Sequence, residues 1–204
     1  MENLSPENSL RLIAETIERS RKAIAKNSGK PLILWGALVT ITSVVIWGLW
    51  TKTGTPMWNL LWFAMTAIGI IATYYMTRNQ EKIPESDTKR ILGNVWKWFG
   101  IFTTGLYALL WVAALILYAR GTETVITINL TLIIALMMGL CGAISGSVMK
   151  MKAVTAAATV GTALSVLLVL LVPDGSPVQI LCFAILGVIA LIIPGVIFQK
   201  RAAK

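Results

Sequence analysis

Six stretches of the 204-residue chain contain no Asp, Glu, Lys or Arg: residues 31–51, 53–77, 98–119, 124–149, 153–173 and 175–199. Each can supply the roughly 20 residues a helix needs to cross a hydrocarbon core about 30 Å thick. The pattern predicts an all-α integral membrane protein with six spans: 31–51, 56–77, 95–119, 124–148, 153–173 and 177–199. Together they form one membrane domain over 31–199, with polar segment 1–30 before it and basic tail 200–204 after it.

The charges between the spans are sorted by side. Arg11, Arg19, Arg21, Lys22, Lys26 and Lys30 precede span 1, and Arg78, Lys82, Lys89, Arg90 and Lys97 lie between spans 2 and 3. Lys150 and Lys152 join spans 4 and 5, while Lys200, Arg201 and Lys204 follow span 6. Lys52 and Arg120 take the opposite side, so sixteen of the 18 cations share one face. The positive-inside rule places that face, and both termini, in the cytoplasm, as an even number of spans requires. Glu123 and Asp174 cancel Lys52 and Arg120, so the whole net charge of +9 faces the anionic headgroups of the cytoplasmic leaflet. A basic chain can signal nucleic acid; here topology accounts for the charge, and no nucleic-acid partner is expected.

Residues 5–29 predict a cytoplasmic amphipathic helix. Ser5 suits the N-cap, Pro6 the first helical position and Glu7 the positive end of the dipole. Gly29, after Asn27-Ser28, predicts a stop, reinforced by Pro31. Leu10, Ile13, Ile17 and Ile24 form one narrow apolar stripe, and Glu15–Arg19 and Glu18–Lys22 are spaced for ion pairs. The helix suits an anchor lying in the headgroup region or a docking helix for a protein partner or a second copy. In either case Leu10, Ile13, Ile17 and Ile24, with Arg19 and Lys22, are the contact residues. The longest connection, Thr77 to Asn94, reads as a solvated basic linker, with Ser86 able to cap a short helix leading into span 3.

The two halves of the membrane domain differ. All eight Trp and all four Tyr fall in or beside spans 1–3, and most of them sit where interfacial belts are expected. Trp111 sits deeper and needs a partner for its indole N–H. Spans 4 and 5 carry small residues instead: Gly139, Gly142 and Gly146, then Ala157, Gly161 and Ser165. Such faces let backbones approach closely in lipid and predict a tight antiparallel hairpin. Pro194-Gly195 within span 6 predicts a kink or hinge. Three spans per half would allow an inverted repeat, but no residue-level match between the halves supports one.

The chemistry is sparse. The charge-free stretches hold no Asp, Glu, Lys or Arg, Lys97 lies at the inner end of span 3, and the chain has no His, which removes the commonest general base and metal ligand. Cys141 and Cys182 fall at depths about 20 Å apart, too far for a disulfide. No metal, cofactor or catalytic residue is expected, and the chain reads as a non-enzyme. Asn129, in span 4, suits either a polar pathway or inter-helix glue worth about 0.6 kcal/mol.

Ser9-Leu10, Leu12-Ile13, Ile17-Glu18 and Ser20-Arg21-Lys22, followed by Leu34-Trp35-Gly36, resemble the start of small multi-span bacterial inner-membrane proteins that carry an N-terminal amphipathic helix. The resemblance covers about the first 50 residues and implies a bacterial inner-membrane setting without naming an activity. Two functional expectations follow. One is a scaffold or regulatory subunit that binds a partner through its basic cytoplasmic face. The other is a small channel or transporter for a neutral or apolar solute, with a polar cavity holding Asn129 and several of Thr103, Thr104, Thr159 and Thr162.

Overall fold

The computed structural model describes residues 6–78, 87–121 and 129–203, and among these every regular element is helical. The order is α1 (Pro6–Thr53), α2 (Leu61–Thr77), α3 (Asp87–Ala119), α4 (Leu130–Val148), α5 (Lys152–Leu171), α6 (Leu181–Leu186) and α7 (Ile193–Ala203). A π-helical segment, Gly187–Ile192, joins α6 to α7 in one rod. Single 3₁₀ turns, Pro56–Leu60 and Pro177–Ile180, lead into α2 and α6. Six stretches are long and apolar enough to cross a membrane: Asn27–Thr53, Pro56–Thr77, Asp87–Ala119, Leu130–Val148, Lys152–Leu171 and Pro177–Arg201. The end carrying Lys89, Lys150, Lys152 and Arg201 is the basic end; the end with the Gly54, Gly121 and Gly175 turns is the far end.

The expected stop at Gly29 is absent, because α1 runs unbroken for 48 residues through Gly29 and Pro31. The reason is a neighbour. A Cβ on Gly29 would stand 3.0 Å from the Gly195 carbonyl oxygen, and one on Gly195 would stand 2.9 Å from the Gly29 carbonyl oxygen. Gly36 and Gly187 meet in the same reciprocal way, at 2.7 and 2.8 Å. These glycines serve close antiparallel packing of α1 on the last rod, so α1 keeps its helix there.

The two glycine pairs lie seven residues apart on α1 and eight apart on the rod. The π segment lies within that longer interval, and its i→i+5 bonding takes up an additional residue. It keeps both contacts in register. Pro194, two residues beyond it, is buried, and the helix continues to Ala203. The hinge expected at Pro194-Gly195 is thus a packed position, with Gly195 against Ile33 of α1.

The hairpin of α4 and α5 is tight. Gly139 lies against Thr162, Gly142 against the Ala158 Cβ and Gly146 against Thr155. The turn is a Schellman closure, with Met151 N–H to the Gly146 carbonyl at 2.8 Å and Lys150 N–H to that of Ser147 at 3.0 Å. Lys150 occupies its left-handed position, at φ 52°. The α5 face used here is Thr155, Ala158 and Thr162. Gly161 instead faces Ile189 and Ala190, and the buried Ser165 hydroxyl donates to the Cys182 carbonyl at 3.0 Å. Ala157 is half-buried. The sequence pattern predicts one small-residue face; α5 has two because it packs on both α4 and the last rod.

Two apolar cores result. Val39, Met65, Ala135, Met138, Phe183 and Leu186 belong to the larger, and Ile24, Leu92, Met149, Val154 and Phe198 to a second at the basic end. Arg201 closes that end, donating to the Met149 carbonyl at 3.2 Å and to Glu18 Oε1 at 2.7 Å. Glu18 pairs with Arg201, and Glu15 lies 3.8 Å from Arg11 rather than pairing with Arg19; the expected Glu18–Lys22 pair falls on a side chain outside the described residues. The Lys22 side chain, the Ser5 and Ser86 caps and residues 124–128 of the fourth span lie outside the described residues.

Candidate functional site

The larger of two concavities among the described residues is a cleft of about 1130 Å³, walled by α1, α2, α3, α4 and the last rod. It exists because α2 and α3 are held by different partners. Trp35 of α1 lies over Gly69 of α2 and donates its indole N–H to Thr73 Oγ1 at 2.9 Å. Trp96 of α3 donates to Ser145 Oγ of α4 at 3.0 Å. Each tryptophan thus fastens one wall. The walls meet at the far end, where the Tyr107 hydroxyl donates to the Asn59 carbonyl at 2.8 Å and its ring centroid lies 5.2 Å from that of Phe63.

From that contact toward the basic end, the space between α2 and α3 is the cleft. On α3 the wall runs from Lys89 to Tyr107, about 27 Å by helical rise. Ile70 and Ile101 line it and are exposed, so it opens on the flank of the bundle. The floor is apolar and aromatic: Leu32, Val39, Met138, Phe183 and Leu191, with Trp62 edge-on to Phe183 at 5.3 Å. Polar groups lie mostly toward the ends, with Thr66 between them, its hydroxyl donating to the Trp62 carbonyl at 2.8 Å. Asn59, Thr103, Thr104 and Thr131 lie at the far end, and Asn27, Ser28, Thr77, Lys89 and Lys97 at the basic end. A large apolar recess between helices with a few polar groups has the anatomy of a small-molecule site.

Gly93 and Gly100 also line the cleft, and a Cβ built on either would meet nothing within 4 Å. They differ from Gly29, Gly36, Gly69, Gly139 and Gly187, all of which touch a neighbouring helix. A helix-interior glycine costs about 1 kcal/mol relative to alanine, and no contact among the described residues offsets that at Gly93 or Gly100. What these two glycines do is leave the cleft wide.

The residues singled out in the sequence fall in several places. Thr103 and Thr104 line the cleft, but Thr159 and Thr162 do not; their hydroxyls donate to the Thr155 and Ala158 carbonyls of their own helix. Asn129 is also outside it. Its Oδ1 accepts from Leu132 N–H at 3.0 Å as the cap of α4, and its Nδ2 donates to Asp174 Oδ1 at 3.0 Å. Gln179, 5% exposed, donates to the Val169 and Val172 carbonyls, completing a polar closure of the far end. Leu10, Ile13, Ile17 and Arg19 are exposed along α1, whereas Ile24 is buried against Leu92 and Phe198.

Sequence reasoning missed the roles of Trp35, Trp62 and Trp96, which it places at an interface or leaves unassigned and which instead face inward. It also missed Gly93 and Gly100, whose seven-residue spacing on one helix was the available signal. Among the described residues no group of Cys, Asp or Glu is arranged to hold a metal ion. No family model, curated protein or solved structure matches the chain.

Proposed function

We propose that this chain is a six-span integral protein of a bacterial inner membrane, both termini cytoplasmic, that binds and passes an apolar or amphipathic solute through the cleft between α2 and α3. Sixteen of 18 cations on one side support the orientation. The observation that carries the solute reading is the cleft itself: about 1130 Å³, apolar along its floor and open on the flank that would face lipid. A solute of the membrane interior could enter it sideways without crossing water. The proposed role is non-enzymatic: among the described residues no Asp, Glu or Cys lines the cleft.

The test uses tryptophan fluorescence, because Trp35, Trp62 and Trp96 line the cleft. Protein in nanodiscs is titrated with a sixteen-carbon alcohol brominated at mid-chain, a contact quencher. Saturable quenching is expected, and Gly100→Leu, which fills open space, should abolish the saturable part. Gly48→Leu, at an open position away from the cleft, should leave it intact. Quenching that never saturates, or that ignores Gly100→Leu, would overturn the reading.

A second reading, the partner-binding subunit, rests on the N-terminal part of α1. Leu10, Ile13 and Ile17 are 67%, 56% and 46% exposed on a helix continuous with the first span. Residues 6–26 extend it by about 30 Å. Removing residues 1–17 spares Glu18 and Ile24, which belong to the fold. Loss of a co-purifying protein with unchanged thermal stability would support this reading; unchanged co-purification would end it.

A further inference from the structure

We infer that the occupant of the cleft is a membrane lipid with an anionic head group, seated with its head at the basic end and its acyl chain along the aromatic floor; this rests on the cleft being a binding site at all. Charge and shape point the same way. Lys89 and Lys97 are the charged residues that line the cleft, both at the basic end, and no carboxylate lines it among the described residues. Among the described residues that line it, the far end offers neutral groups only.

An occupant that is apolar along most of its length and anionic at one end matches that distribution. The geometry adds a length. From Lys97 to Tyr107 the α3 wall runs about 15 Å, half of the roughly 30 Å hydrocarbon core and so the depth of one leaflet, and the flank is open along it. A lipid of the adjoining leaflet can slide in between α2 and α3 with its head kept at headgroup level. A second copy of the chain fits less well, because it would bring its own cations to the same mouth. Gly93 and Gly100, facing open space on this wall, leave room for a chain to lie against the α3 backbone.

Both lysines are exposed, so their attraction for an anion is that of headgroup-level cations, worth about five-fold in affinity for each. The experiment compares two brominated sixteen-carbon probes in nanodiscs of neutral lipid, an alkyl phosphate and the alcohol, on the wild type and on Lys89→Gln, Lys97→Gln and the double variant. Each single change should weaken the phosphate about five-fold and the double about 25-fold, with alcohol binding unchanged. Equal wild-type affinity for the two probes, or equal loss of both in the double variant, would overturn the anionic head while leaving the cleft reading standing. If neither probe saturates on the wild type, the cleft reading itself falls. A dimer that Gly100→Leu dissociates would assign the space to a second copy and overturn the lipid.

Discussion

Glycine does opposite things in this chain depending on what stands beside it. At Gly36 a Cβ would press on the Gly187 carbonyl oxygen at 2.7 Å, backbone that cannot step aside. Gly36→Leu should therefore cost about 1–3 kcal/mol or more, read as a lower midpoint in thermal unfolding of the detergent-solubilised protein. At Gly93 a Cβ meets open space, so Gly93→Ala should raise the midpoint, by about 0.5–1 kcal/mol of helix propensity. Lys150 is the reverse case, a side chain held at φ 52° in the αL cap of α4. Lys150→Gly should stabilise by up to about 1 kcal/mol. Gln179→Leu should destabilise by about 1–3 kcal/mol, because the Val169 and Val172 carbonyls would lose the amide that satisfies them.

At the scale of elements, the six long apolar helices among the described residues were legible, because a charge-free run of about 20 residues matches the length and polarity that a bilayer crossing demands. The ends of α1 were not. Gly29 and Pro31 carry every local sign of a stop, yet whether a glycine ends a helix or lets another helix approach depends on a neighbour more than 150 positions away in sequence. The same limit applies to α5, where Thr155, Ala158 and Thr162 meet α4 while Gly161 and Ser165 meet the last rod. A periodic small-residue pattern reveals that faces exist, not which partner each receives. The π segment was equally hidden, since it is set by the mismatch between seven residues on α1 and eight opposite. Deleting the exposed Val188 should leave seven residues opposite seven, let the segment close as ordinary α-helix, and keep α7 and the Arg201–Glu18 contact in place. The outcome to look for is a thermal midpoint close to that of the wild type; a large fall would contradict the role given to the π segment.

For the whole molecule, the sequence divided the bundle into an aromatic half and a small-residue half, and the structure gives that division a shape. Small residues close α4, α5, the last rod and α1 against one another. The aromatic half is hollow: Trp35 holds α2 to α1, Trp96 holds α3 to α4, and the space between those two attachments stays open. A gap of this kind leaves little trace in a sequence, because hydropathy does not distinguish a side chain facing lipid from one facing a cleft. The most direct test of the account is saturable quenching of tryptophan fluorescence by the mid-chain-brominated alcohol in nanodiscs, measured on the wild type and Gly100→Leu. The account predicts saturation in the wild type that Gly100→Leu removes; the same unsaturable quenching in both would contradict it.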